Sequence, residues 1–92
     1  MYIFIANSHL EKIIDFDWNV DFIFNYAHED PEKFVYLSNI DPYWMTIFNK
    51  WQIEKSLLKE IESIDKSHEQ INKFITFIKN IEQHDLLVIV WD

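Results

Sequence analysis

The chain contains no glycine, no cysteine and no arginine among its 92 residues. Without glycine it lacks the close backbone turns that hold phosphate in P-loops, dinucleotide-binding folds and GxxG nucleic-acid loops. Without cysteine it has no disulfide, no thiolate metal ligand and no cysteine nucleophile. Without arginine it lacks the planar, fork-shaped donor that binds phosphate through two hydrogen bonds. These absences argue against nucleotide cofactors, thiol chemistry and direct nucleic-acid binding.

The charge is strongly negative, with sixteen acidic residues against eight lysines and a net charge of −8. Residues 1–46 carry eight acids and two lysines, whereas residues 47–92 carry eight acids and six lysines. An acidic surface repels phosphate and attracts a basic protein, whose association rate it raises. We therefore predict a basic protein partner. The alternative is that the acidic residues serve only solubility.

The length predicts a single domain over residues 1–92. Its longest apolar runs, Tyr2–Ala6 and Leu86–Trp91, are much too short to span a bilayer. No lysine precedes the first run, so it does not resemble a secretory signal. We predict no membrane association and, by default, a cytoplasmic location.

The two apolar runs predict buried strands at opposite ends of the chain that share one sheet. The second half predicts an antiparallel helical hairpin from about Thr46 to Gln83, with Thr46 capping its first helix. Only two residues separate the predicted helices, and Ser67 begins a capping box with Gln70. The predicted fold class is α+β, with a small sheet containing the N- and C-terminal strands packed against the helical hairpin and further helices.

Residues 8–45 have weaker periodicity. A turn of helix is suggested by three aliphatic residues, Leu10, Ile13 and Ile14. We predict a helix over Trp18–Ala27 capped by Asp17, with a strand over Val20–Phe24 left open as the alternative. The buried face of that helix should hold Val20, Phe22, Ile23 and Tyr26. Because glycine is absent, positive φ angles are expected at turn asparagines, namely Asn7, Asn39 and Asn80.

Residues that could carry chemistry form no recognised pattern. The histidines lack metal-ligand spacing, and their positions are His9, His28, His68 and His84. The carboxylates are plentiful but unspecific, and no glycine-flanked nucleophile turn is present. We therefore predict no metal, no cofactor, no small-molecule substrate and no enzymatic activity. A small enzyme stays as an alternative, and it would require a well-formed pocket with buried carboxylates or histidine.

The aromatic residues carry a more specific signal. Tyr43 and Trp44 follow a turn at Asp41, where exposure is common, and Tyr and Trp are favoured anchors at protein interfaces. Core positions are predicted instead for Trp51 and Trp91. The predicted protein-binding face combines the acids of the first half with these aromatic residues: Asp15, Asp17, Trp18, Asp21, Glu29, Asp30, Glu32, Asp41, Tyr43 and Trp44.

One stretch resembles a group of small bacterial proteins. The pattern is Tyr43-x-x-Thr46-x-Phe48-Asn49-x-x-Gln52, followed by Leu57, Glu60, a second helix and a strand that ends at Asp92. The group's pattern is T-x-F-N-x-x-Q with a closing strand that ends in Gly-Asp, where this chain has Trp91. In size and acidity these proteins are similar to immunity proteins of polymorphic toxin and contact-dependent growth inhibition systems.

The resemblance implies a protein that binds one cognate basic toxin domain and blocks its active site. A nuclease is the expected toxin, because nucleases grip nucleic acid with basic residues for which an acidic surface can compete. A second hypothesis is an acidic nucleic-acid mimic that inhibits a DNA-binding protein. That hypothesis requires acids at phosphate-like intervals along one face, and the sequence shows no such periodicity.

Overall fold

A computed structural model of the chain describes residues 2–41, 44–64 and 68–91. It has the predicted α+β architecture, in which one antiparallel sheet packs against helices. The strands follow the spatial order β2-β1-β4-β3. Their bounds are β1 (Tyr2–Ala6), β2 (Lys12–Phe16), β3 (Met45–Asn49) and β4 (Leu86–Val90).

The two terminal strands occupy the centre of the sheet. β1 pairs with β4 from Tyr2 opposite Val90 to Ala6 opposite Leu86, without a register shift. A strand with a partner on each side and helices over one face retains little contact with water, which accounts for its continuous apolar sequence. The prediction that both terminal strands share one sheet, with the last strand internal, is confirmed.

The helices are short, and none in the described part of the chain is long and apolar enough to cross a bilayer. A π-helical turn, Ile53–Leu57, joins α3 to α4 without a break. The predicted cap at Ser67 lies outside the described residues, and α5 begins after His68. The bounds are α1 (Asp21–His28), α2 (Val35–Ser38), α3 (Lys50–Gln52), α4 (Leu58–Glu62) and α5 (Glu69–Lys79).

The bounds of the predicted hairpin need correction. α4 ends at Glu62, α5 begins at Glu69, and the predicted connecting residues Asp65 and Lys66 lie outside the described residues. An ion pair of 3.6 Å joins Glu62 and Lys79, which lie in the last turns of the two helices. The first helix begins at Lys50, because Thr46 lies in β3. Its cap is Asn49, whose Oδ1 accepts a 2.8 Å hydrogen bond from the Gln52 backbone N–H.

The structure also replaces the predicted helical turn near Ile13 with strand β2. β2 folds back on β1, and Ile13 is the extra residue of a β-bulge, between Lys12 opposite Ala6 and Ile14 opposite Ile5. The helical turn was predicted because Ile13 and Ile14 interrupt the alternation of apolar and polar residues that marks a strand. Both side chains are exposed, at 56% and 53%, so their apolar character does not report burial.

Positive φ occurs at Leu10, with φ 63°, and at no other described residue. The expectation of positive φ at the three asparagines is therefore wrong. Asn39 and Asn80 use their side-chain amides instead, which donate to the carbonyl groups of Val35 (2.6 Å) and Thr76 (3.0 Å). Asn7 accepts hydrogen bonds from the backbone N–H groups of His9 and Glu11 through its Oδ1.

Residues 21–28 form a helix rather than the alternative strand. Asp17 does not cap it, since the helix begins at Asp21, whose N–H donates to Asn19 Oδ1 at 2.9 Å. Two residues of the predicted buried face, Phe22 and Tyr26, are 36% and 51% exposed. The buried face consists of Val20, Ile23, Phe24 and Ala27.

One hydrophobic core fills the space between the inner face of the sheet and the helices. Its largest fully buried side chains include Phe24, Phe34 and Phe74. Trp91 is partly buried and packs against this core, with its ring centroid 6.0 Å from that of Phe24, so it lies at the margin of the core rather than inside it. Trp51 is 64% exposed, and the prediction of a core position for it is wrong, because it lies on the outer side of the first turn after β3.

Candidate protein-binding groove

A groove of about 740 Å³ separates the end of strand β2 from helix α5. The strand side of this β2–α5 groove is lined by Asp15, Phe16, Asp17 and Trp18. The helix side is lined by Glu69, Asn72, Lys73, Thr76, Phe77 and Asn80.

Aromatic packing holds the two sides together. Phe16 lies opposite Ile3 in the sheet and points to the inner face, where its ring centroid is 5.3 Å from Phe74 and 5.0 Å from Phe77. Tilted ring pairs at these distances contribute stabilising free energy in addition to that of the apolar area they bury. These ring contacts fix the end of strand β2 against helix α5 and so position the two sides of the groove.

The helical wall is the polar face of an amphipathic helix. One face of α5 is buried in the core and consists of Ile71, Phe74, Ile75 and Ile78. The opposite face of the helix is left for the groove. The Thr76 hydroxyl donates to the Asn72 carbonyl at 3.0 Å, and the Asn80 amide donates to the Thr76 carbonyl at 3.0 Å.

The groove is predominantly acidic. Of the described residues that line it, three are acidic (Asp15, Asp17 and Glu69) and one, Lys73, is basic. The ammonium group of Lys73 lies 4.4 Å from the centroid of the Trp18 ring, within cation–π distance. Lys12 forms a 3.2 Å ion pair with Asp15, but both side chains are more than half exposed, so this pair binds weakly.

This arrangement suits the recognition of a cation that carries an apolar stem. The ring of Trp18, which is 42% exposed, already accepts one ammonium group, and carboxylates stand on both walls. Among the described residues no polar or charged side chain is buried, and no group of three metal-ligating side chains occurs. The groove therefore presents its carboxylates to water, where a partner's side chain can reach them.

The predicted binding face is divided among three places. Asp15, Asp17 and Trp18 line the groove, and Asp21 lines an adjoining depression of about 220 Å³ that shares Phe16, Asp17 and Trp18 with it. The loop between α1 and α2 carries three exposed acids outside the groove, namely Glu29, Asp30 and Glu32.

The third place is the opposite edge of the sheet. Asp41 and Trp44 precede β3, and both are exposed, Trp44 at 72%. Tyr43 lies outside the described residues. A partner seated in the groove and a partner seated on Trp44 would thus contact opposite sides of the molecule.

Sequence reasoning missed the helical wall. Glu69, Asn72 and Thr76 follow the helical spacing opposite the apolar stripe of α5, so their common face was readable from the sequence. Their position beside Asp15 was not, because it depends on the pairing of β2 with β1 and on the Phe16 contact.

The motif behind the family resemblance has a structural role here. Thr46 Oγ1 accepts a hydrogen bond from the Asp41 N–H at 3.1 Å, and Phe48 is buried in the core. Asn49 and Gln52 form a reciprocal capping box, in which Gln52 Oε1 also accepts from the Asn49 N–H at 2.9 Å. These residues build the junction between β3 and α3.

No protein-family model, curated protein or solved structure matches this chain.

Proposed function

We propose that this chain is an inhibitory binding protein of the immunity type, which neutralises a basic toxin domain by covering its active site. The observation that carries the proposal is the acidic, aromatic-floored β2–α5 groove, with Asp15, Asp17 and Glu69 around the partly exposed ring of Trp18. In this proposal a lysine or arginine side chain of the toxin enters the groove.

The chemistry of the groove favours such a side chain over a neutral one. Lysine and arginine carry apolar stems that pack on rings while their charged ends stay near water. The contact between Lys73 and Trp18 shows that the ring accepts a cation within the chain itself. A partner's cation that displaces Lys73 from this ring would also be attracted to Asp17 and Glu69 on the two walls.

A nuclease is the toxin class that this surface suits best. Nucleases bind the phosphate backbone with lysine and arginine, and the net charge of −8 allows this chain to compete for the same residues. Such an inhibitor would act in the cytoplasm, where nucleic acid is the toxin's target. Long-range attraction would accelerate association, and the desolvated Trp18 ring would slow dissociation.

The test uses the C-terminal domain of the protein that is encoded directly upstream of this chain's gene in its source genome. We expect co-expression of the chain to restore growth of cells that produce this domain, and the two purified proteins to form a one-to-one complex. A triple variant of the groove, Asp15→Lys, Asp17→Lys and Glu69→Lys, should lose protection and bind at least about tenfold more weakly.

The matched control reverses three acids outside the groove, with Glu29→Lys, Asp30→Lys and Glu32→Lys. Both variants change the net charge equally, so a general charge effect would weaken both of them. Binding that survives in the groove variant and fails in the control variant would move the site to the loop between α1 and α2. Absence of any complex with the wild-type chain would remove the proposal for this partner.

A further inference from the structure

Within its own five residues, the edge strand β3 carries no charge, no proline and no bulge. Natural edge strands are commonly guarded by charged side chains, bulges or proline, since their free N–H and C=O groups can pair with another chain. None of the residues Met45–Asn49 is charged, and residues 42–53 contain no Asp or Glu. β3 pairs with β4 without a register shift, and no described strand pairs with its other side.

Large exposed side chains flank this edge. Trp44 before the strand is 72% exposed, and Trp51 just after it is 64% exposed. On the outer face of the strand, Met45 and Ile47 are each 39% exposed. Exposed tryptophan is uncommon on a free surface and is enriched where two proteins meet.

We propose that β3 pairs with β3 of a second copy of this chain. The strands would run antiparallel about a two-fold axis at Ile47, which places Ile47 opposite Ile47, Met45 opposite Asn49, and Thr46 opposite Phe48 of the second copy. This register pairs every residue of the strand and continues the sheet through both copies.

Charge favours a second copy as the occupant. Self-pairing in this register sets no two like charges opposite each other, although the whole chain carries a net charge of −8. The register also brings Lys50 beside Trp44 of the second copy, where cation and ring attract each other. A basic partner would find no carboxylate in residues 42–53, whereas the groove at the opposite edge offers three.

The area is sufficient for a weak, specific dimer. A tryptophan side chain buries up to about 200 Å², so the two tryptophans of each copy, with Met45, Ile47 and the strand backbone, provide about 1,000 Å² in total. Interfaces of this size lie at the lower end of those that persist in solution. We expect weak, transient association, with a dissociation constant on the order of 10 µM.

The dimer is independent of the proposed inhibitory function. β2 and β3 are opposite edges of the sheet, so self-pairing through β3 leaves the β2–α5 groove of each copy open. One dimer would present two grooves. Variants of β3 should change self-association without changing the affinity of a groove for its partner, which separates the two proposals experimentally.

Sedimentation velocity of the full chain, from about 1 µM to about 1 mM, is the direct test. The wild-type chain should shift from monomer to dimer across this range. Ile47→Lys sets two ammonium groups opposite each other on the axis and should weaken the dimer at least about tenfold. The control is Ile13→Lys on β2, at an aliphatic residue that is also exposed (56%, against 39% for Ile47), and it should leave the dimer unchanged.

A mixing experiment separates pairing from misfolding. Ile47→Lys and Ile47→Glu should each be monomeric with a wild-type circular dichroism spectrum, and an equal mixture should form a mixed dimer, since opposite charges then meet at the axis. A wild-type chain that stays monomeric at about 1 mM would overturn the proposal. The proposal would also be overturned if the wild-type chain dimerises but Ile13→Lys abolishes the dimer and Ile47→Lys does not. Loss of toxin binding in Ile47→Lys without self-association would assign this edge to the toxin and also overturn it.

Discussion

Strands β2 and β3 are the two edges of one sheet, and they differ in charge, in regularity and in sequence distance from their partners. β2 carries the ion pair between Lys12 and Asp15, contains a bulge at Ile13, and follows its partner β1 after a short turn. β3 is uncharged and regular, and it pairs with β4 nearly forty residues further along the chain. The charges and the bulge of β2 discourage pairing with a further strand, whereas β3 has neither.

The comparison separates two ways in which an edge can be used. At β2, charge and a bulge prevent backbone pairing, and the strand end contributes side chains to the acidic groove. At β3, the uncharged and regularly paired strand is itself the proposed surface, flanked by the exposed Trp44 and Trp51. Side-chain recognition and strand addition are therefore proposed for opposite edges of the sheet.

The two edges should differ most in how strongly they are anchored to the core. Phe48 of β3 is 6% exposed and belongs to the core cluster, whereas Phe16 of β2 is only partly buried. We expect Phe48→Ala to lower the free energy of unfolding by about 4 kcal/mol and Phe16→Ala by about 2 kcal/mol. Urea denaturation of both variants provides the measurement. Equal losses of unfolding free energy in the two variants would contradict the prediction that β3 is anchored to the core more strongly than β2.

The sequence predicted the centre of the sheet and the amphipathic helix α5, because their patterns are strong. β1 and β4 are continuous apolar runs, and α5 repeats apolar residues at helical spacing. It did not predict either edge. The residues of β3 fit a helix start as well as a strand, and only pairing with β4 selects the strand. β2 has exposed aliphatic residues that hide its alternation.

The candidate site was predictable to a similar extent. The acids Asp15 and Asp17 and the aromatic Trp18 were identified from local composition, since charge and exposure near turns are local properties. The wall formed by Glu69 and Asn72 was not, because it requires knowledge of which helix packs beside β2. The core position predicted for Trp51 is wrong for a related reason. The cap at Asn49 sets where the first helical turn begins, and the Trp51 indole then lies on its exposed side.

The second prediction concerns the helix beside the β3 edge. The Glu60 carboxylate accepts hydrogen bonds from the backbone N–H groups of Tyr36 (2.9 Å) and Leu37 (3.0 Å) at the start of α2, and the Tyr36 ring stacks on Phe48. Hydrogen bonds to a charged acceptor contribute more to the free energy of unfolding than those to a neutral one. Glu60→Gln should therefore destabilise the protein by about 2 kcal/mol. Thermal and urea unfolding would measure this loss.

The control for Glu60 is Glu62→Gln on the same helix. Glu62 makes a partly exposed ion pair with Lys79 at 3.6 Å, and such pairs contribute less than about 0.5 kcal/mol. If both variants lose the same stability, the effect of Glu60 comes from general charge rather than from its hydrogen bonds to α2.

The third prediction concerns the junction at which β3 becomes a helix. Asn49→Ala removes the acceptor for the Gln52 N–H and should cost about 1 kcal/mol, as a lost N-cap does. Asn49→Asp keeps that acceptor and should cost less. Because the box is reciprocal, Asn49→Ala combined with Gln52→Ala should cost less than the sum of the two single changes. Strict additivity in this double-mutant cycle would show that the two hydrogen bonds act independently.

The smallest expected effect is a gain of stability at the turn that leads into β2. Leu10 has φ 63° and is 50% exposed, so its side chain gains little from burial while its Cβ is crowded in the left-handed region. Asparagine tolerates this region better, and Leu10→Asn should therefore raise the free energy of unfolding by about 0.5–1 kcal/mol. Leu10→Ala is the matched control, because it shortens the side chain but keeps the Cβ. Equal gains in both variants would attribute the effect to removal of an exposed apolar group. A gain confined to Leu10→Asn would show that the β2 edge holds backbone strain, for which the described residues of the β3 edge have no counterpart.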